Sequence, residues 1–96
     1  MTEKKEKKEK TLDKPIKLKE LIMMHILSFE TKAWAYMDFI AHPETQEHTK
    51  DLKEARIAID SIDALFKVIE PELDSTEKKD IQTRLTNLRL NFARKD

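Results

Sequence analysis

The sequence has no cysteine, no glycine and only three prolines in 96 residues. Without cysteine there is no disulfide framework, thiolate nucleophile, iron–sulfur cluster or cysteine-ligated zinc. Without glycine the phosphate-cradling loop, the dinucleotide-binding turn, the nucleophile elbow and the tightest hairpin turns are all excluded, because each needs a positive φ or a very close backbone approach. Neither sign of charge is in excess: 19 basic residues balance 19 acidic ones, for a formal net charge of zero. Long apolar runs are also missing. The most apolar stretch, Leu21 to Phe29, meets Glu30, Lys32 and Asp38 before it reaches the roughly 20 residues that a membrane-spanning helix needs. A chain well under about 150 residues is expected to form one domain and to bury only about 60–65% of its unfolded surface. Such a core leaves little room for a deep active site, and the sequence is read as a non-enzyme with no catalytic residue, no cofactor and no metal.

What is present is charge, at 40% of residues, unevenly distributed. Residues 1–14 hold six lysines interleaved with Glu3, Glu6, Glu9 and Asp13. The acidic residues cancel most of the field that counterion release from a nucleic acid would require. This segment is expected to be a disordered, solvated leader, and the helical domain to occupy 15–96. No apolar stretch of about 7–15 residues of the kind a secretory signal carries lies near the N-terminus, so the expected location is cytoplasmic, with no membrane contact.

Helical periodicity dominates the rest. Pro15 stands where a helix can begin, and nothing breaks one from Ile16 to Ala41. At about 100° per residue, Ile22, Ile26, Phe29, Ala33, Tyr36, Met37 and Ile40 share one arc, the width of a core-facing stripe. Met23, Leu27 and Trp34 form a second row, with Met24, Ala35 and Phe39 elsewhere on the circumference. The polar stretch from His42 through Pro43 to His48 makes the first connection. Thr49, or alternatively Asp51, can cap a second helix, in which Leu52, Ala55, Ile59, Ile62, Phe66 and Ile69 alternate spacings of three and four. Ile57, Ala64 and Val68 lie on its opposite face with Ser61 between them. Pro71 ends that helix. Asp74 and Glu77 then form a capping box with Leu73 as its hydrophobic staple, and Ile81, Leu85, Leu88 and Phe92 give a narrow third stripe. The expected fold is all-α: a three-helix antiparallel bundle-like unit, with helices at about 16–41, 50–70 and 75–94, that is oligomeric.

Several of these stretches together resemble a known family. His42-Pro43-Glu44-Thr45, Asp51-Leu52 with Ala55 and Ile59-Asp60, and Leu73 to Glu77 followed by Leu85, Leu88-Arg89 and Phe92 are similar to the pattern of DUF1844, a bacterial family of small helical proteins without assigned activity. The resemblance covers about Leu21 to Phe92. It implies a helical fold and no reaction. The chain departs from the pattern in lacking the glycines expected near the loop, and in carrying Lys67-Val68-Ile69-Glu70-Pro71-Glu72 where a glycine-containing turn is expected.

Five potential ligands, His42, Glu44, Glu47, His48 and Asp51, fall within one short loop. Zinc or manganese could use such groups, but the spacing matches neither His-Glu-x-x-His nor Glu-x-x-His. A solvated turn is the expected state, with Asp51 favouring the positive end of the second helix. Asp60 and Arg89 are expected to pair and fix the register of the last two helices. His25 is expected to pack with one nitrogen satisfied. The apolar rows outside the core lead to the functional expectation: a self-associating interaction module, a homodimer or higher homo-oligomer, with Met23, Leu27, Trp34, Ile57 and Val68 in the contact. The alternative is a nucleic-acid- or ribosome-associated accessory factor using the leader and Lys78, Lys79, Arg84, Arg89, Arg94 and Lys95. Those residues share no single face, and no aromatic residues alternate with them for base stacking.

Overall fold

The computed structural model describes residues 13–95. The leader expected over 1–14 therefore lies, except for exposed Asp13 and Lys14, outside the described residues. Three helices follow one another: α1 (Leu18–Tyr36), α2 (Leu52–Ile69) and α3 (Ser75–Lys95), with a short 3-10 turn, Glu70–Glu72, between the last two. There is no strand among the described residues.

The end of α1 departs most from the sequence pattern, which predicts helix as far as Ala41. It stops at Tyr36, because Asp38 takes a left-handed conformation with φ of 72°. The Asp38 amide donates to the Ala35 carbonyl at 2.9 Å and the Phe39 amide donates to the Trp34 carbonyl at 3.0 Å. This pair of bonds is the Schellman C-cap, normally built on glycine. Its usual apolar contact is also present, as the rings of Trp34 and Phe39 meet edge to face at 5.3 Å. Ile40, assigned to the core arc, consequently lies beyond the helix and is exposed. A second left-handed residue, Gln46 with φ of 63°, turns the chain back.

The N-terminal caps of α2 and α3 follow local chemistry. Of the two candidates for α2 it is Asp51 that caps, accepting from the Lys53 and Glu54 amides at 3.1 and 3.2 Å. Ahead of α3, Asp74 accepts from the Glu77 amide at 2.8 Å and Glu77 accepts from the Asp74 amide at 3.0 Å. This closes the reciprocal capping box, and the staple Leu73 is buried.

The helices enclose one core: Ile26, Ala33 and Met37 from α1 and its cap; Ala55, Ile59, Ile62, Phe66 and Ile69 from α2; Leu73; and Ile81, Leu85 and Leu88 from α3. The central helix α2 packs mainly on α1 and less on α3, while α1 and α3 meet over a short stretch. Ion pairs border that stretch, Lys19 with Glu77 at 3.5 Å and Glu30 with Arg84 at 2.7 Å. The Asp80 and Glu30 carboxylates together hold the Arg84 proton more tightly than usual. Arg89 pairs with Asp63 at 3.5 Å and not with Asp60, which reaches Arg56 instead. Three residues turn a helix by about −60°, and that rotation leaves Asp60 on the solvent side of the stripe.

Candidate functional site

The most ordered polar cluster lies in the connection between α1 and α2, with His42 at its centre. The residue is 4% exposed although it stands in a polar loop. Lys32, one turn before the end of α1, places Nζ 2.7 Å from His42 Nδ1, and Nε2 lies 2.9 Å from the Thr49 carbonyl. An ammonium group can only donate, so Nδ1 accepts and Nε2 carries the hydrogen that bonds Thr49. The ring meets Tyr36 edge to face at 4.4 Å, and Lys32 Nζ sits 4.8 Å from the centre of that same tyrosine ring. The backbone of His42 is used as well: its amide donates to the Glu47 carbonyl, and its carbonyl accepts from the Thr45 and Gln46 amides. Lys32 also bonds Glu44, and that hydrogen bond, with help from the backbone, holds the Glu44 carboxyl below the usual carboxylate range.

The five potential ligands do not converge. His42 is bound to Lys32 and Thr49, Glu44 to Lys32, Asp51 to the α2 amides, and His48 to Asp38 at 3.0 Å. Among the described residues no group of three or more His, Asp or Glu is placed to hold a metal ion. The arrangement ties the end of α1 to the start of α2, a tie completed by the Asp51 amide donating to the Tyr36 carbonyl at 2.9 Å.

The apolar residues outside the core divide into two groups. Met23 and Trp34 are half-buried and pack against the core. Leu27, Ile57 and Val68 are 47%, 58% and 68% exposed. His25, expected to pack, is instead exposed, its ring 6.3 Å from that of Phe29. A small cleft between α1 and α3 is lined by Met23, Ile26, Leu27, Asp80, Ile81 and Arg84. Among the described residues no helix is long and apolar enough to cross a membrane.

A family profile for a domain of unknown function, DUF1844, matches residues 19–94. The chain belongs to the DUF1844 family. No curated protein and no solved structure matches it. The DUF1844 match starts at the beginning of α1 and ends at the end of α3, so the family unit and the three-helix unit coincide. In this DUF1844 chain, sequence reasoning located His42 but missed its partners Lys32, Tyr36 and Thr49. The available signal was the Lys32–Tyr36 spacing of four, which stacks both side chains on one helix face toward the loop.

Proposed function

We propose that this DUF1844 chain is a non-enzymatic, self-associating interaction module that works in the cytoplasm as a homodimer, with Met23, Leu27, Trp34, Ile57 and Val68 in or beside the contact. The observation that carries the reading is the exposure of Leu27, Ile57 and Val68 on regular helices of a chain that is otherwise 40% charged. On α2 the pattern is a row, Ile57, Ser61, Ala64 and Val68, with no charged residue among its members. Large apolar side chains grouped on rigid elements mark association surfaces. The antiparallel arrangement of the helices is part of the proposal. It is supported by the pairing order: Lys19 and Glu30 meet Glu77 and Arg84 in ascending order, so α1 and α3 run the same way, as the first and third helices of an up-down-up unit do. The nucleic-acid alternative loses support, because Arg84 and Arg89 are engaged by carboxylates.

Light scattering on a sizing column at micromolar concentration tests the proposal. A mass of twice 11.4 kDa is expected, and a monomer would overturn it. Leu27→Glu, at an exposed position, is expected to lower the measured mass while leaving the helical circular dichroism intact. Trp34→Glu is expected to cost stability as well, because Trp34 packs on the core and on Phe39.

A further inference from the structure

The outward face of α1 carries a pattern that the core does not use. Leu21, Met24, Ser28 and Thr31 follow one another at spacings of three, four and three, the repeat that keeps a seam facing a partner helix. All four are exposed, Leu21 at 36% and Met24 at 57%. The four span an arc of about 80°, taking about 100° per residue, and between Leu21 and Ala35 no charged residue falls within it. Thr31 donates its hydroxyl to the Leu27 carbonyl one turn back at 3.2 Å, so its polar group is satisfied within α1.

The order of sizes along the seam selects its occupant. Two large residues come first and two small ones follow. We propose that the seam docks the same seam of a second copy in antiparallel orientation, Leu21 against Thr31 and Met24 against Ser28 of the other chain, with the two-fold axis level with Ile26. Each of the four layers then joins one large and one small side chain, and the helices approach evenly. A parallel pair would stack large on large at one end and small on small at the other, so the axes would splay. Charge points the same way. Lys14 and Lys17 lie at the N-terminal end of the seam and Asp38, whose carboxylate also meets His48, lies beyond its C-terminal end. Antiparallel docking brings those lysines toward Asp38 of the other copy, whereas parallel docking sets Lys17 against Lys17. A two-fold contact is self-complementary in this sense, and an uncharged centre meets no like charge on approach. Leu18 and Leu27, both exposed, flank the seam and extend the contact.

The inference rests on the self-association proposed above, and cysteine pairing separates the two, because the chain has no thiol of its own. Leu21→Cys and Thr31→Cys chains are prepared separately, checked for unchanged helicity, and oxidised alone and as a 1:1 mixture. Docked as proposed, each position lies about 15 Å along the axis from its own copy, at about 1.5 Å per residue, too far for a disulfide, which needs Cα atoms within about 7 Å. The expected result is a disulfide-linked dimer containing one chain of each variant in the mixture, and no linked dimer from either variant alone. Self-linking of each variant alone would overturn the antiparallel orientation. If the wild-type chain is dimeric, Val68→Cys self-links and the mixture does not, the seam is refuted while self-association stands. A monomeric wild-type chain removes self-association and, with it, the seam.

Discussion

Replacing His42 by alanine tests whether the loop that joins α1 and α2 is held by its side chains. Three contributions are lost. The Nε2 bond to the Thr49 carbonyl is a neutral hydrogen bond with a net value of about 1 kcal/mol. The edge contact with Tyr36 is worth about 0.5–1.5 kcal/mol. Burial of the ring's apolar atoms adds on the order of 1 kcal/mol, the value of about one methylene group. Lys32 loses an acceptor but keeps Glu44, so that charge is not stranded. The expected cost is about 2.5–3.5 kcal/mol, a large share of the roughly 4–12 kcal/mol that a helical unit of about 80 residues provides. Urea unfolding followed through the fluorescence of Trp34, the only tryptophan, measures it. Protein concentration must be held fixed, because the proposed self-association would add to apparent stability. Heating should report the same loss as a fall in Tm of about 10–28 °C, at about 4–8 °C per kcal/mol for a domain of this size. A cost below about 0.5 kcal/mol, the ordinary range of surface substitutions, would refute the reasoning. So would ring 15N spectra showing the hydrogen on Nδ1.

Two further outcomes follow from the same connection. Asp38→Val should destabilise the chain by about 1–2 kcal/mol, because a β-branched residue is poorly tolerated in the left-handed region; Asp38→Gly should be neutral or stabilising, and equal unfolding midpoints for the two variants would contradict the Schellman assignment. For Glu44 the sign is that of a carboxyl whose folded pKa lies below its unfolded one: the stabilisation is present above the ordinary value of 4.5 and is lost as pH falls through the depressed folded value. The stability difference between wild type and Glu44→Gln should therefore be constant near neutral pH and close in acid, as read from urea midpoints across pH, and a difference that widened in acid would be the wrong sign.

The core was legible because periodicity reports burial directly. In α2 every residue of the three-and-four stripe from Ala55 to Ile69 is buried, with Leu52 half-buried at its start. The capping box was legible because its residue types and spacing have one common use. The end of α1 was not, because the usual punctuation is a glycine and this chain substitutes Asp38, which also occurs on the exposed side of helices and so does not by itself mark a stop. The burial of His42 was hidden for a related reason: a polar residue beside a proline reads as solvated, and only Lys32, ten residues earlier, and Thr49, seven residues later, make its burial tolerable. Arg89 chose Asp63 over Asp60 through a rotation of one side chain about the α2 axis, finer than a sequence stripe resolves. The candidate site was readable only as a set of exposed apolar rows. Which of them are open to solvent was not readable, because periodicity alone does not show that Met23 and Trp34 are half-covered from within while Leu21, Met24, Ser28 and Thr31 are exposed.

The loop around His42 also bears on the order in which the chain can fold. Its bonds close rings of ten residues to Lys32 and seven to Thr49, whereas α3 reaches α1 through pairs separated by 58 and 54 residues. The entropy lost in closing a ring grows with its length, and contacts between near neighbours in sequence favour fast formation. Helices α1 and α2, joined by a loop that closes on itself, can therefore come together as a hairpin before α3 docks. A polar knot without a single glycine thus closes the helical hairpin with contacts local in sequence, leaving the longest loop closures to α3.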